Sequence, residues 1–526
     1  MKLGRFTSIS AIVTLGTAFF TLCSLFGCTK TEGAESESGS KEKDGYKTVK
    51  ITVDRKTVLR NPLNGWVMYG SASYDPSYWD KECYVSELAQ NVKVSDYASA
   101  CYIRTNWRTF NPEDGVYAWR DPSTKLYGMI HGAWDRGLPI AFRIVVDGRD
   151  QGANTPQFVY DAGAGYYLEN EKYPDRKTPY PQDPVFQQYY EKLIAELAKD
   201  FNDPEKTAFI DAYGLGKWGE GHNVVYEPDN AITENTEKLK YEVMDWITDV
   251  YSKNFTKVPL LINYHRVIRH PTSDGKANEN SEALLNLAVG KGYSLRQDAF
   301  GMTDYYRDWE RAYASSWMYK RPIIMEGGWI VNQHSYWNDS RGYRKGHPED
   351  VRQGEYDDSR VAKVAMMDFR VGDETESWFK DAFSLVQKFV SEGGYRLYPE
   401  QFILPEKAKS GELVTLEHKW RNIGWGYFPN NIPQWNYRYK VAFALLDSQD
   451  NVCLEYVDKN CEPSKWVDGN TNSYKSDILV QVPAGSYSWA VAIVNTDDEN
   501  KPAIKLAAKG AISEDGWLKL MEVTVE

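Results

Sequence analysis

Between residues 60 and 395, eight short apolar runs alternate with amphipathic stretches, and this alternation limits the folds open to the chain. The runs are "GWVMYG" (65–70), "ASACYIRTNW" (98–107), "LPIAFRIV" (138–145), "TAFIDAYGLG" (207–216), "VPLLINYH" (258–265), "LRQDAFGMTD" (295–304), "RPIIMEGGW" (321–329) and "VAMMDFRVG" (364–372). Between them lie helix-like segments such as "DPVFQQYYEKLIAELAKDF" (183–201) and "NTEKLKYEVMDWITDVYSKNF" (235–255). Strand-like runs separated by helix-length segments call for a mainly parallel sheet, because each crossover brings the next strand round in the same direction. Eight such units are the number that closes a (β/α)8 TIM barrel. A doubly wound sheet is the alternative, but the chain has no Gly-rich dinucleotide fingerprint.

The two ends differ from this middle. Lys2 and Arg5 precede an apolar run that finishes in Leu25-Phe26-Gly27-Cys28. Residues 1–27 read as a secretory signal, and Leu-x-Gly-Cys resembles a bacterial lipoprotein box, with Cys28 as the acylated residue. An ordinary signal peptide or a lone transmembrane helix is the alternative. Residues 28–45 are polar and read as a flexible tether. A lipid anchor would hold the protein on the outer membrane, at its periplasmic or cell-surface face, without spanning it. Residues 46–397 are assigned to the barrel. From 398 to 526, "GELVTLEHKWRNIG", "YRYKVAFALLDSQ" and "SDILVQVPAGSYSWAVAIVNT" alternate apolar and polar residues and read as a C-terminal all-β sandwich.

Charge and cysteines exclude some functions. The net charge is −12, and it becomes about −14 once residues 1–27, with two bases and no acid, are removed. That disfavours nucleic acid as a partner. Cys83, Cys101, Cys453 and Cys461 form no CxxC pair and no Cys/His cluster, so no metal site is expected. Cys453 with Cys461, or Cys83 with Cys101, could pair in an exported protein. No cofactor is expected. Aromatic residues make up 14 % of the chain, with 37 Tyr and 18 Trp, which suits contact with the C–H faces of sugars.

A TIM barrel builds its active site at the C-terminal ends of its strands. Strand four is expected to end at Trp218-Gly219-Glu220 and strand seven at Met325-Glu326. Both glutamates sit beside Gly and Trp. Two facing carboxyls are the working parts of most glycoside hydrolases, one as acid and the other as nucleophile or base.

Glutamates ending strands four and seven resemble the pattern of the clan A retaining glycoside hydrolases. "WRTFNPEDGVYAWRD" (107–121) resembles a W-x-x-x-x-P-x-x-G-x-Y-x-W segment of the clan's β-galactosidase-like families. The passage 183–220 is similar to their helix-three to strand-four region. The whole of 60–526 also resembles an uncharacterised Bacteroidota-type lipoprotein family with a barrel followed by a sandwich. The resemblance implies Glu220 as acid/base and Glu326 as nucleophile. It also implies an Asn before the acid/base, holding the sugar 2-hydroxyl, and here that position is Gly219. Asn223, His222 or Asn263 takes over that contact, or the substrate is held differently, or hydrolysis is lost.

Other polar residues fall near the expected strand ends. Arg104 and Arg143 would keep Glu326 ionised, or form structural ion pairs inside the barrel. Asp147 would bond sugar hydroxyls, or belong to a loop. Asn263, Tyr264 and His265 end strand five and are expected in the pocket. His222 would meet substrate or pack, and Tyr305, beside Asp304, would hydrogen-bond the nucleophile. Trp218, Trp329 and Trp378 are candidate platforms for a sugar ring. Glu374 and Glu376 are competing carboxylates, and 147–182 is long enough for a lid. The reading is therefore an extracytoplasmic retaining hydrolase acting on a carbohydrate. The alternatives are a non-catalytic glycan-binding lipoprotein with the same barrel and an assembly lipoprotein whose protein partner is unknown.

Overall fold

The computed structural model describes residues 44–70, 79–149, 152–265, 281–298, 300–302, 306–328, 331 and 347–526. Cys28, Asp304, Tyr305 and Trp329 lie outside them. Eight strands form a closed parallel barrel: β1 (Gly65–Gly70), β2 (Ala98–Asn106), β3 (Ile140–Val145), β4 (Thr207–Asp211), β5 (Leu260–Asn263), β6 (Ser294–Gln297), β7 (Ile323–Met325) and β8 (Met366–Asp368). Each pairs in parallel with its neighbours, and β8 closes onto β1 through Met366 opposite Gly65. All eight apolar runs of the sequence contribute a strand.

The crossovers carry helices α1 (Lys125–Trp134), α2 (Pro184–Phe201), α3 (Glu234–Asn254), α4 (Ser281–Gly290), α5 (Asp308–Trp317), α6 (Pro348–Val361), α7 (Asp373–Asp381) and α8 (Phe383–Glu392). Local chemistry sets their starts. Asp183 caps α2 by accepting from the Val185 and Phe186 amides, and Pro184 occupies the first turn, where no N–H is needed. Phe186, Tyr190, Leu193, Ile194, Leu197 and Phe201 recur at helical spacing and form the buried face of α2. Thr233 and Thr236 cap α3 reciprocally.

A two-residue alternation divides the strands between two environments. Trp66, Met68, Cys101, Ile103, Phe142, Ile144, Ile262 and Tyr264 join the apolar layer shared with the helices. Val67, Tyr69, Ala100, Tyr102, Ala141, Phe209, Leu261, Ile324 and Met366 belong to a second apolar cluster, which continues into the C-terminal strands.

Those strands form two sheets. In one, β9 (Leu397–Pro405), β10 (Leu413–Asn422) and β13 (Asn472–Leu479) run antiparallel. In the other, β12 (Val452–Asp458), β11 (Tyr439–Leu446), β14 (Gly485–Asn495) and β15 (Leu518–Val525) lie side by side. One boundary shifts from the sequence reading. Tyr46–Lys50, assigned there to the barrel, pairs antiparallel with β9 and so belongs to the sandwich sheet.

The loop between β10 and β11 packs at the N-terminal end of the barrel. Trp425 Nε1 donates to the Val364 carbonyl before β8, at 2.8 Å. Asn431 donates to the Lys320 carbonyl before β7 and Gln434 to the Gly292 carbonyl before β6. The opposite end of the barrel is left for the strand-end carboxylates. Cys83, Cys101, Cys453 and Cys461 are all free thiols, so neither pairing considered from the sequence forms.

Candidate active site

Inward-facing positions one step beyond the apolar layer are polar, and all but one are charged. Arg143 follows Ala141, Asp211 follows Phe209, Asn263 follows Leu261, Glu326 follows Ile324 and Asp368 follows Met366, each by two residues. Arg296 on β6 and Arg370 just past β8 join them. Each of these side chains is almost wholly buried. Charge at this depth persists only when paired and hydrogen-bonded.

Arg143 is the centre of the pairing. Its Nε donates to Asp211 Oδ2 at 2.7 Å, its Nη1 to Glu220 Oε1 at 2.5 Å and its Nη2 to Glu326 Oε2 at 2.9 Å. Arg296 Nε donates to Glu326 Oε2 at 3.2 Å, and Arg370 Nη1 donates to Glu326 Oε1 at 2.5 Å. Arg104, at the end of β2, has Nη1 3.4 Å from Glu220 Oε1 and 4.0 Å from Glu326 Oε1. Those two oxygens are no farther apart than these distances combined, a limit that admits both the roughly 5–5.5 Å spacing of retaining pairs and the short end of the roughly 6.5–9.5 Å spacing of inverting ones.

The two glutamates have opposite electrostatics. Burial alone would raise Glu326, but Arg143, Arg296, Arg370 and Arg104 outweigh it and hold its carboxyl well below the usual carboxylate range. Burial raises Glu220, the Asp298 and Glu326 charges add to it, and Arg143 and Arg104 only partly oppose them. The result is about 8. Of the two glutamates, Glu220 is therefore protonated and Glu326 ionised near neutral pH.

Strand four ends earlier than the sequence suggested. It stops at Asp211, and Glu220 stands in a tight hairpin closed by a bridge between Lys217 and His222. Positive φ at Gly214, Gly216, Gly219 and Gly221 makes the hairpin possible. A Cβ on Gly219 would lie 3.0 Å from Arg143 Cδ, so any side chain at this position presses on the stem of the central arginine. The hairpin also forces Trp218 to φ 59°, a costly conformation for a bulky residue, and leaves it 39 % exposed beside Glu220.

The other candidates divide between the cluster and its surroundings. With its amide oxygen toward Arg143, Asn263 accepts from Nη2 at 2.9 Å and donates to the Arg296 carbonyl at 3.1 Å. His265 Nε2 lies 2.8 Å from the Glu220 carbonyl and stacks on His222, whose Nε2 is 3.7 Å from Glu220 Oε2. Three residues lie elsewhere. Asp147 is buried against Arg149 and the Thr178 hydroxyl, anchoring the loop after β3. Tyr264 is out of phase with Asn263 and meets Tyr306 and Tyr313 in the helix layer. Trp378 is buried in α7 against Trp66, with Arg352 over its ring. The competing carboxylates are committed too: Arg352 binds Glu374, and Lys81 bonds Glu376 at 2.9 Å.

Sequence reasoning overlooked Asp211, Arg296, Asp298, Asp368 and Arg370. Their signal was present: "RQD" and "DFR" place charges two apart at the ends of apolar runs, the spacing that puts both on the inner face of a strand.

No family model matches this chain, and no curated protein does. Solved structures similar to it include xylanase B from Clostridium stercorarium F9, at 11% identity and a TM-score of 0.33, covering 58% of this chain and 86% of that one. The catalytic domain of β-amylase from Paenibacillus polymyxa has 11% identity and a TM-score of 0.39, covering 62% and 98%. Endo-glycoceramidase II from Rhodococcus sp. has 11% identity and a TM-score of 0.34, covering 83% and 99%.

Proposed function

We propose that the protein is a retaining glycoside hydrolase, with Glu220 as acid/base and Glu326 as nucleophile. One observation carries this reading: a single guanidinium, Arg143, holds two carboxyls whose protonation is driven in opposite directions. Glu220 donates its proton to the leaving oxygen while Glu326 attacks the anomeric carbon. Once the glycosyl ester forms, the Glu326 charge is gone, and Glu220, now ionised, takes a proton from the water that hydrolyses the ester. Exposed Trp218 offers an apolar face to the sugar ring beside Glu220.

A second reading is a glycan-binding barrel without turnover. It is favoured by the enclosure of Glu326, which is fully buried with both oxygens occupied by guanidinium donors. Incubation with a glycan panel, followed by proton NMR of the released anomer, separates the two. Net retention is expected, with Glu220→Gln slowing turnover by about 10²–10⁴-fold for substrates whose leaving group needs protonation. Net inversion would rule out the two-step mechanism. No turnover on any glycan, together with retained binding, would favour the second reading.

A further inference from the structure

Tyr102 on β2, Arg143 on β3 and Asp211 on β4 come from adjacent strands, are buried, and form one hydrogen-bonded unit. The bonds to Asp211 converge on a single oxygen. Its Oδ2 accepts from the Tyr102 hydroxyl at 3.0 Å and from Arg143 Nε at 2.7 Å, pairs with Arg143 Nη2, and has Arg296 Nε at 3.3 Å. Tyr102 is itself wedged in place: its ring meets Tyr69 edge-on at 5.0 Å, Phe209 at 6.0 Å and the Arg296 guanidinium at 4.2 Å. Asp211 is 1 % exposed, so it acts through Arg143 and not on a ligand.

Arg143 would ordinarily work against Glu220 as an acid. A guanidinium bonded to a carboxyl favours the ionised form by roughly one to three pH units, and Arg143 Nη1 is 2.5 Å from Glu220 Oε1. An acid in that position needs the guanidinium charge to be taken up elsewhere. Asp211 does this along the Nε–Nη2 edge, and Glu326 accepts from Nη2 at 2.9 Å. The same contacts fix the plane of the guanidinium, because Nε is the nitrogen nearest the stem. Glu220 stands in a hairpin and Glu326 one residue past β7, so the strand-borne Arg143 is the fixed point between them.

We propose that Asp211 is a positioning residue of the reaction: seated by Tyr102, it fixes the Arg143 guanidinium between the two glutamates and takes up its charge, so that Arg143 supports Glu326 without drawing the acid proton from Glu220. This inference rests on the hydrolase reading and deepens it. As Glu326 bonds the anomeric carbon and Glu220 gives its proton to the leaving oxygen, the negative charge passes from Glu326 to Glu220. An anchored Arg143 already touches both and serves the second charge without moving. The groups facing Glu220 are Arg104 from β2, Arg143 from β3, His222 in the hairpin with His265 stacked on it, Asp298 past β6, Glu326 past β7 and Arg370 past β8. A substitution at Asp211 alters none of these side chains.

The test titrates Glu220 without any substrate. Infrared difference spectra of the full chain, each protein against its own Glu220→Gln counterpart, isolate the carboxylic-acid band of Glu220, which is followed as pH rises. Asp211→Asn keeps the shape and removes the counter-charge, so the band should vanish at a pH about one unit or more below wild type. Asp211→Ser takes its place if Asp211→Asn melts early. Leu261→Ala, a cut in the apolar layer on β5, should lower the melting temperature and leave the midpoint where it is. An unmoved or raised midpoint in the Asp211 variants, an equal shift in Leu261→Ala, or no Glu220 band in wild type overturns the inference. A wild type that shows the band but turns over no glycoside would sink the hydrolase reading alone.

Discussion

Gly219 occupies the position where the clan resemblance implies Asn, and its surroundings explain why. Its φ is 76°, and any Cβ would press on Arg143, the side chain that joins both glutamates and Asp211. Gly219→Ala should therefore destabilise the fold by roughly 1–2 kcal/mol, the cost of a left-handed conformation for an L-residue, measured by urea unfolding. An unchanged midpoint would mean that the hairpin relaxes freely. The glycine was legible in the sequence as a permissive backbone. Its contact was not, because Arg143 is on another strand, 76 positions earlier in the chain. The same applies to Asp147: a carboxylate after a strand reads as a ligand contact until Arg149 and Thr178 are seen to hold it.

Elements were more legible than residues. Apolar runs and amphipathic segments located all eight strands and the long helices α2 and α3, since burial on one face imposes a period that survives in sequence. Strand ends were less certain. The run 207–216 continues past Asp211, because its later residues, Ala212, Tyr213 and Leu215, are also buried, although they belong to the hairpin. At the other end of the barrel, the β10–β11 loop places Trp425 beneath β8, with Phe389 and Tyr356 against its ring. Trp425→Ala removes a large buried side chain and one hydrogen bond, and should cost about 3–5 kcal/mol. A thermal melt should show an earlier transition for the whole molecule. Loss of the sandwich signal alone would show that this contact does not couple the two parts.

At the scale of the molecule, stability should depend on pH through the buried carboxyls. Glu326 is held low in the fold, so its contribution is present above the unfolded value near 4.5 and is lost as pH falls. Glu220 is raised to about 8, Glu355 by burial to about 7, and Asp368 and Asp298 by burial to about 6. Their contributions are complete below the unfolded carboxylate values and disappear as pH rises through about 6 to 8. The melting temperature should thus peak near pH 5 and decline on both sides. A plateau continuing above pH 8 would contradict the cost assigned to an ionised Glu220. By itself the sequence determined the number of strands, the succession of helices, the presence of a separate β region and the two glutamates worth pairing. Those follow from local composition and periodicity. Tertiary structure alone decided that Tyr46–Lys50 completes the sandwich, that Tyr264 and Trp378 face the helices, and that four arginines, three on strands and one just past β8, meet around Glu326. Closing the barrel brings distant residues into one low-dielectric space, and there the charge on each group is set by its neighbours across the barrel, not by its neighbours in the chain.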